Sequence, residues 1–461
     1  MRARDSSASG LTASAQRLGG AWPPVGRDRG ERTQPVKPPT PEVKLPAQDV
    51  SSAPVACRFC GAPLHIVFAD LGSSPLANSY LSPERLGAME PFYPLRALVC
   101  GRCFLVQLEE FETPARIFSD YAYFSSYSTS WLEHCRHYVE EMVEWLSLGE
   151  HSRVVEIASN DGYLLQYFDR RGIPVLGVEP AANVATVALE RGIATMVEFF
   201  GCETARTLVG EFAADLLVGN NVLAHVPNLN DFVGGMKILL APGGVITMEF
   251  PHLMRLIEDR QWDTIYHEHF SYFSFLTASQ VFAAHGLRLF DVEELPTHGG
   301  SLRIYGCHED DAERPDTGRA LQMREREREA GYEQLEVYTE YGADVAADKR
   351  QILEFLIGLK NDGRRVVGYG APAKGNTLLN YCGIRRDFLD YTVDLSPHKQ
   401  GRFLPGSHIP IRPPQAILED CPDVVVILPW NLKDEIAQQL GFVGAWGGRL
   451  VARTPELALL P

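Results

Sequence analysis

Short runs of apolar residues, each followed by a polar or glycine-containing turn, recur through the middle of the chain. The run that starts at Arg153 leads through a turn ending at Gly162 into a helical stretch, Tyr163–Arg171. Strands of a parallel sheet are buried on both faces, so they are nearly continuous apolar runs rather than alternating ones. The pattern predicts a doubly wound α/β sheet whose later strands are Val175–Glu179, Asp215–Asn221 and Gly244–Glu249.

The same pattern returns near the C-terminus, where Arg365–Thr377 has the form of a strand, a glycine turn and a helix start. The pattern predicts a second parallel sheet with further strands at Tyr391–Asp394, Val424–Leu428 and Gly448–Val451. Between the two sheets, residues 311–362 are highly charged, with apolar positions at Ile352, Phe355, Leu356 and Leu359. This spacing predicts a long linking helix.

The N-terminal segment, residues 1–50, has almost no clustered large apolar groups and is rich in Ser, Pro, Gly, Arg and Ala. Such a segment buries too little surface to offset its ordering entropy, so we expect a disordered tail. An organelle transit peptide is the alternative, but the proline pairs at 23–24 and 38–39 interrupt an amphipathic helix. The first clear amphipathic helix is expected at Trp131–Leu146.

Composition and charge limit the partners. Of the 461 residues, 45% are hydrophobic and 10% aromatic, which is ordinary for a globular protein of about three domains. The formal net charge of −16 argues against a nucleic-acid partner. The sequence has neither an apolar run long enough to span a bilayer nor a secretory signal, so we expect a cytoplasmic protein without a membrane partner.

Nine cysteines include two C-x-x-C pairs, Cys57/Cys60 and Cys100/Cys103. Four thiolates in this arrangement can bind one Zn²⁺ tetrahedrally, and a four-cysteine site leaves no open position, so the metal is expected to be structural. A redox function for the pairs is disfavoured because they lack a strand-helix setting. The 39 residues between the pairs, which include Ala77–Tyr80, exceed the loop of a short zinc ribbon and should form structure of their own.

Four proton-handling side chains stand together at Tyr266, His267, Glu268 and His269. Imidazole accepts a proton near neutral pH, a carboxylate can fix its tautomer, and a phenol can hydrogen-bond a developing oxyanion. This combination suits removal of a proton next to a carbonyl group. A polar surface turn or a metal site is the alternative, although the second histidine at i+4 of a zinc-protease helix is missing.

The central sheet has features of a nucleoside site. Glu179 ends the second predicted strand, where doubly wound folds bind ribose hydroxyls. The first turn has Ala158 and only one glycine, whereas a dinucleotide turn needs three, so a nucleoside without a pyrophosphate, such as S-adenosylmethionine, fits better. An acidic turn also suits the cationic sulfonium. The candidate donor-binding residues are Glu156, Ala158, Asn160, Asp161, Gly162, Glu179 and Asn221.

Five motifs together resemble the sugar C-methyltransferase family of antibiotic deoxysugar pathways. The resemblance covers roughly residues 55–455. The motifs are, in order, the two cysteine pairs, Val155–Gly162, Asn220–Asn228, Tyr266–His269 and Gly368–Thr377. Ala158 departs from the pattern, because a glycine is expected there. This departure puts the backbone conformation of the first turn in question.

The resemblance implies an α/β protein with an N-terminal zinc-binding module, a central class I methyltransferase Rossmann-like domain and a second, C-terminal Rossmann-like domain. The expected boundaries are 51–130, 131–310 and 311–461. It further implies methyl transfer from S-adenosylmethionine to C-3 of a dTDP-linked 4-keto deoxysugar. A zinc-containing protein that binds a nucleotide sugar or a partner without methyl transfer is the alternative.

In the implied reaction, a base removes the proton beside the ketone and the enolate attacks the methyl group. His269 is favoured as the base and His225 as a residue that orients the substrate or stabilises the enolate, although a structural role for either remains open. Tyr266 and Glu268 would position the base and the sugar. Tyr121 or Tyr123 could close the site from the zinc side or could simply pack between two domains.

The glycine turn of the C-terminal sheet can present backbone N–H groups and a lysine to a phosphate. Alone it is a weak NAD-like fingerprint, but a methyltransferase needs no hydride, so we assign the turn to the diphosphate of the substrate. The candidate substrate-binding residues are Lys374, Gly375, Asn376, Thr377, Asp394 and Lys399.

Overall fold

The first sheet of the protein combines two distant parts of the chain. The computed structural model describes residues 55–113, 125–127, 129–453 and 457–460. The antiparallel first sheet has the order β1-β2-β3-β9, with β1 at Ile66–Ser74, β2 at Tyr93–Val99, β3 at Val106–Leu108 and β9 at Ser271–Tyr272. Strand β9 follows directly after His269, so the sheet of the cysteine-rich region reaches into the Tyr266–His269 loop.

The second sheet has seven strands in the order β10-β11-β8-β7-β4-β5-β6. Only β11 runs against its neighbours, since it pairs antiparallel with both β8 and β10 while the remaining pairs are parallel. The strands are β4 at Val154–Ile157, β5 at Val175–Val178, β6 at Thr195–Met196, β7 at Ala214–Asn220, β8 at Leu240–Pro251, β10 at Leu287–Leu295 and β11 at Ser301–His308.

Seven helices accompany this sheet in the described chain. The first is amphipathic and buries Cys135, Tyr138, Val139 and Met142 on one side, as helical periodicity requires. The fifth starts at the side chain of Asn228, which accepts a hydrogen bond from the Asp231 N–H at 3.3 Å. They are α1 at Thr129–Leu146, α2 at Leu165–Asp169, α3 at Ala182–Glu190, α4 at Cys202–Phe212, α5 at Leu229–Leu239, α6 at Leu253–Glu258 and α7 at Phe275–Ala283.

The charged segment that follows is not one long helix, as the sequence pattern had indicated. It forms three helices, α8 at Gly318–Glu329, α9 at Glu336–Thr339 and α10 at Tyr341–Asn361. Gly331 interrupts the helical path with a φ of +87°, a conformation that glycine adopts without steric cost. The apolar positions that suggested a helix lie in α10, where Ile352 and Leu356 are buried.

The third sheet has six strands in the order β14-β13-β12-β15-β16-β17 and is parallel except for β17. Its glycine turn leads from β12 into helix α11, as the sequence predicted. The strands are β12 at Val366–Tyr369, β13 at Thr392–Val393, β14 at Ile411–Arg412, β15 at Val424–Ile427, β16 at Arg449–Arg453 and β17 at Leu457–Leu459. The helices are α11 at Ala373–Cys382, α12 at Gln415–Asp420 and α13 at Lys433–Gln439.

A single apolar cluster joins these regions around the Tyr266–His269 loop. It contains Phe68 of β1, Trp262 and Ile265 before the loop, Tyr341 of α10 and Leu378 of α11. The rings of Phe68 and Tyr341 stack with their centroids 4.6 Å apart. Burying a large apolar side chain stabilises a fold by about 1.5–3 kcal/mol, so this shared core fixes the loop from several sides.

Among the residues that the structure describes, no helix is both long and apolar enough to cross a membrane.

Candidate functional site

The four cysteines of the two pairs converge. Cys57 and Cys60 precede β1, while Cys100 and Cys103 lie in the turn between β2 and β3, and all four sulfur atoms are within 4.8 Å of one another. The Sγ atoms of Cys57 and Cys103 are 3.6 Å apart, and those of Cys60 and Cys100 are 3.5 Å apart. Tetrahedral Zn–S bonds of about 2.3 Å require sulfur atoms about 3.8 Å apart. The four thiolates therefore fit one structural Zn²⁺.

The carboxyl ends of β4, β5 and β7 meet at one edge of the central sheet. The turn after β4 uses left-handed backbone at Ala158, Asn160 and Gly162, with φ of 57°, 49° and 76°. Alanine thus adopts the conformation for which a glycine is expected, at a steric cost on the order of 1–2 kcal/mol. The Glu179 carboxylate fixes this turn, because it accepts hydrogen bonds from the N–H groups of Asn160 at 2.9 Å and Ala181 at 2.8 Å.

The acidic groups at this edge differ in their surroundings. Burial raises the pKa of Glu156 well above its ordinary value, and the nearby Glu179 and Asp161 raise it further, although a hydrogen bond with Tyr163 opposes this. Burial thus disfavours the charged form of Glu156, which makes it a poor charge partner for a cation. Asp161 is paired with Arg191, whose guanidinium is 3.2 Å from the carboxylate.

A site for S-adenosylmethionine fits this edge. Asn221 lies at the end of β7 and adopts a left-handed φ of 54°. Its Oδ1 atom is buried and has no hydrogen-bond partner in the described chain. An unpaired buried acceptor is costly, so it indicates a missing donor such as a ligand ammonium group. Glu179, at the end of β5, retains lone pairs for ribose hydroxyls.

The Tyr266–His269 segment is a tight turn, closed by a hydrogen bond from the His269 N–H to the Tyr266 carbonyl at 2.8 Å. The turn brings the Tyr266 hydroxyl to 2.7 Å from His269 Nε2. On the other side of the ring, His269 Nδ1 lies 3.1 Å from the Thr264 carbonyl. A carbonyl only accepts, so Nδ1 carries the proton and the Nε2 lone pair points to the Tyr266 hydroxyl.

His225 stands against this pair. It lies in a short 3₁₀ helix, Leu223–His225, after β7, and its ring centroid is 4.7 Å from that of His269 in an edge-to-face arrangement. Burial lowers the pKa of His225 to about 4, although a hydrogen bond to the Glu268 backbone carbonyl opposes the shift. Burial and the neighbouring His225 also lower the pKa of His269 well below its ordinary value. Both imidazoles are therefore neutral at pH 7 and able to accept a proton.

Glu268 is hydrogen-bonded to the segment between the cysteine pairs. Its carboxylate accepts hydrogen bonds from the Asn78 amide, and burial raises its pKa to about 7 against the effect of that amide. Tyr80, two residues after Asn78, donates to the Ala371 carbonyl at 2.6 Å. The segment between the cysteine pairs therefore connects the Tyr266–His269 turn with the glycine turn of the third sheet.

The candidate substrate residues of the third sheet divide into two groups. Asn376 donates to the Ala77 carbonyl and Thr377 to the Ile265 carbonyl. Asp394 accepts from the N–H groups of Ala371 and Ser396, and Lys399 lies 3.7 Å from Asp394. These four side chains thus bond within the protein.

Gly375 is buried against Leu428, and a Cβ atom there would lie 3.0 Å from the Leu428 Cβ. Lys374, by contrast, lies close enough to His269 for its charge to act on that imidazole. Its ammonium group donates to Asn431 Oδ1 at 2.8 Å and lies 4.2 Å from the centroid of the Trp430 ring. Burial lowers its pKa to about 8, although Asp263 opposes the shift. Its positive charge is one of the causes of the low pKa of His269.

Two residues of this site, His298 and Glu249, were not predicted from the sequence. His298 occupies a left-handed position in a turn before β11, and burial together with the charge of Lys374 lowers its pKa to about 4. Glu249, at the end of β8, accepts from the Thr297 hydroxyl at 2.7 Å and so anchors that turn. The Thr-His-Gly-Gly sequence at 297–300 was the available signal, because paired glycines mark an unusual turn. Tyr121 and Tyr123 lie outside the described residues.

The strand order defines a class. Numbered within the central sheet alone, the order is 6-7-5-4-1-2-3 with strand 7 reversed, which is the arrangement of class I S-adenosylmethionine-dependent methyltransferases. Together with the four-cysteine cluster and the donor edge, it makes the protein a methyltransferase with an N-terminal zinc module.

Comparison with known proteins gives the family. Family models match a zinc binding domain at residues 57–118, a methyltransferase domain at 129–292 and a C-methyltransferase C-terminal domain at 296–455. C-methyltransferase NovU of Streptomyces niveus is 36% identical over 412 residues, which cover 89% of this chain and 97% of that protein. The chain belongs to this C-methyltransferase family, which decides between an enzyme and a binding protein in favour of the enzyme.

Other similarities are limited to parts of the chain. A ubiquinone biosynthesis O-methyltransferase of Bradyrhizobium sp. (strain ORS 278) is 29% identical over 97 residues, which cover 21% of this chain and 38% of that protein. Among solved structures, magnesium protoporphyrin IX methyltransferase of Synechocystis PCC 6803 has 14% identity and a TM-score of 0.30, covering 42% of this chain and 88% of that chain.

Proposed function

We propose that this C-methyltransferase acts on C-3 of a dTDP-linked 4-keto deoxysugar by removing the proton next to the ketone. The observation that carries the proposal is the pair of neutral histidines, His225 and His269, whose rings meet edge to face after the end of β7. A carbon next to a ketone becomes nucleophilic only after deprotonation, so this reaction requires a base. The substrate class rests on the resemblance of the five sequence motifs.

His269 is the proposed base. Its protonated Nδ1 is held by the Thr264 carbonyl, which leaves Nε2 to receive the proton of the substrate. Without substrate, the Tyr266 hydroxyl is hydrogen-bonded to Nε2 of His269. We propose that, once the substrate is bound, this hydroxyl turns to the developing enolate oxygen. His225 orients the sugar ring from the edge of β7. Glu268 holds the turn through Asn78.

Lys374 is the proposed electrostatic partner of the enolate. Its charge acts on His269 and His298, so it lies within reach of the reacting part of the substrate. A cation held in a desolvated cleft stabilises a developing oxyanion more than it would in water. The N-terminus of α11 and the backbone at Gly375 would bind the diphosphate. Four further side chains stabilise this turn through their bonds within the protein. They are Asn376, Thr377, Asp394 and Lys399.

S-adenosylmethionine supplies an electrophilic methyl group when it is bound at the donor edge. We propose that Glu179 binds its ribose hydroxyls and that Asn221 binds its ammonium group. The remaining donor residues shape the turn after β4 and thus the position of the methyl group. They are Glu156, Ala158, Asn160, Asp161 and Gly162.

The test is product formation. The purified zinc-loaded protein is incubated with S-adenosylmethionine and a panel of dTDP-linked 4-keto deoxysugars, and products are analysed by mass spectrometry. We expect a gain of one methyl group on the sugar, with S-adenosylhomocysteine formed in equal amount. The matched control is the same sugar nucleotide with the ketone reduced to a hydroxyl, which should be inert. Donor binding without transfer to any member of the panel would contradict the proposal.

A further inference from the structure

Arg58 lies in the first zinc knuckle, which is the turn Cys57–Cys60. Its side chain extends from the metal site to the segments that hold His225 and His269. Arg58 stands between the metal-binding residues Cys57 and Cys60, and its backbone N–H donates to Gln107 Oε1 at 2.9 Å. Gln107 in turn donates to Cys57 Sγ at 3.2 Å. The start of the Arg58 side chain is therefore fixed by the knuckle itself.

The guanidinium group of Arg58 binds two backbone carbonyls. Nη1 donates to the Pro227 carbonyl at 3.0 Å, and Nη2 donates to the Leu108 carbonyl. The group also lies 5.4 Å from the centroid of the Phe270 ring. Pro227 follows His225 by two residues, and Phe270 is the residue after His269. One side chain thus contacts both segments that carry the catalytic histidines.

The guanidinium group of Arg58 is held by backbone carbonyls rather than by a carboxylate. Among the described residues, no carboxylate lies within ion-pair distance of it, and its Nε atom is buried without a hydrogen-bond partner. A planar guanidinium presents several N–H donors in a fixed fork, so it can bind the Pro227 and Leu108 carbonyls at the same time. A methionine or lysine side chain cannot reproduce this arrangement.

The backbone around Arg58 reinforces the link. The Leu108 N–H donates to the Phe270 carbonyl at 3.0 Å, and β3 pairs with β9 directly after His269. From the other side, the Asn230 amide donates to the carbonyls of Arg58 and Phe59. The knuckle is thereby tied to β9 and to α5, while the guanidinium spans the space between the two histidine segments.

We infer that Arg58 is a positioning residue that sets the distance between the His225 and His269 rings by tying their two segments to the zinc knuckle. The inference rests on the proposed proton abstraction and deepens it. The zinc site then has a second role besides stability, because an ordered knuckle is needed to aim Arg58. Misplacing a catalytic group by about 1 Å can reduce a rate about 100-fold, so such a tie affects turnover even when the fold survives.

The experiment compares Arg58→Met, which keeps the apolar stem, and Arg58→Lys, which keeps the charge but presents no planar fork for two carbonyls. The matched control is Arg102→Met, since Arg102 lies in the second knuckle with an exposed side chain. Each full-length protein is analysed for zinc content, S-adenosylmethionine affinity, kcat, KM and exchange of the substrate α-hydrogen with solvent deuterium.

For Arg58→Met we expect one zinc per chain, donor affinity within twofold of wild type, and kcat and exchange reduced about 10- to 100-fold. Arg58→Lys should be intermediate, and Arg102→Met should match wild type. Wild-type exchange in both Arg58 variants, or losses of activity that only follow losses of zinc, would overturn the inference. If Arg58→Met does not fold, Arg58→Lys decides.

A readout without substrate separates this inference from the proposed function. The imidazole nitrogen resonances of His225 and His269 are assigned by NMR with the corresponding His→Asn variants. We expect them to shift in Arg58→Met and not in Arg102→Met. Resonances unmoved in Arg58→Met contradict the positioning role. A wild-type protein that exchanges no α-hydrogen of any 4-keto sugar nucleotide contradicts the proposed function instead.

Discussion

The side-chain amide of Asn78 donates to both carboxylate oxygens of Glu268, at 2.8 and 3.0 Å. These residues are 190 positions apart, in the segment between the cysteine pairs and in the catalytic turn. Because Tyr80 then reaches the Ala371 carbonyl, the same short segment contacts the turn after β12. Glu268 is therefore a link between three regions, and its ionisation should be visible in the stability of the whole protein.

The pH dependence of that stability has a defined sign. Burial raises the pKa of Glu268 to about 7, so ionising it costs more in the folded than in the unfolded protein. Stability should therefore fall as pH rises from about 4.5 to about 7 and should level off above that. The upper limit of the Glu268 contribution is about 3 kcal/mol.

Denaturant unfolding between pH 4.5 and 8 should show a weaker dependence of the unfolding free energy on pH for Glu268→Gln than for wild type. The exposed Glu144→Gln should keep the wild-type slope, and an unchanged slope in Glu268→Gln would contradict the assignment.

The two histidines should separate in a deuterium-exchange assay. His269→Asn should abolish exchange of the substrate α-hydrogen with solvent, because its Nε2 is the proposed acceptor, while donor affinity stays near wild type. His225→Asn should lose roughly ten- to a thousandfold, as for a supporting hydrogen bond. His137→Asn, at an exposed position of α1, is the control. Exchange that survives in His269→Asn and vanishes in His225→Asn would reverse the roles.

Lys374 should act on turnover more than on substrate binding. Lys374→Met removes a cation whose charge acts on His269, and we expect kcat and α-hydrogen exchange to fall about 100- to 1,000-fold. KM should rise less than tenfold, because the diphosphate is assigned to the N-terminus of α11. Lys433→Met at the start of α13 provides the control, measured by steady-state kinetics. A large rise in KM with unchanged kcat would move Lys374 to the diphosphate.

Glu179 should determine donor affinity. Glu179→Gln loses one of the acceptors that bind the N–H groups of Asn160 and Ala181, so both the turn and the ribose site are weakened. We expect S-adenosylmethionine to bind at least tenfold more weakly, as measured by titration calorimetry without a sugar nucleotide. Glu190→Gln, exposed at the end of α3, should bind the donor like wild type. Equal affinities in the two variants would exclude Glu179 from the donor site.

Removal of one metal-binding thiol should destabilise the protein. Cys57→Ser should lower the zinc content, which is expected to be about one per chain in wild type, together with the melting temperature. Elemental analysis and thermal unfolding measure the two effects, and the exposed Cys421→Ser is the control. Wild-type protein purified without a chelator and found free of zinc would defeat the metal assignment.

The sequence predicted those features that depend on local patterns. The apolar runs marked four strands of the central sheet, β4, β5, β7 and β8, and four of the third sheet, β12, β13, β15 and β16, and the cysteine spacing marked the metal site. Contacts between distant residues were not predictable, because no local pattern pairs Asn78 with Glu268 or Arg58 with Pro227. The paired glycines after His298 marked an unusual turn, but the interaction of His298 with Lys374 depends on how the third sheet packs. The long linking helix failed at Gly331, where one left-handed residue outweighed the helical propensity of its neighbours.

The pairing of β3 with β9 also affects how the protein is made. During synthesis, β9 leaves the ribosome about 160 residues after β3, by which time the four cysteines have long been available to a metal ion. The edge of β3 in the zinc module therefore stays unpaired and exposed until β9 has been synthesised. An N-terminal fragment that ends before Ser271 should consequently bind zinc yet tend to aggregate, whereas a fragment that continues through Tyr272 contains the covering strand.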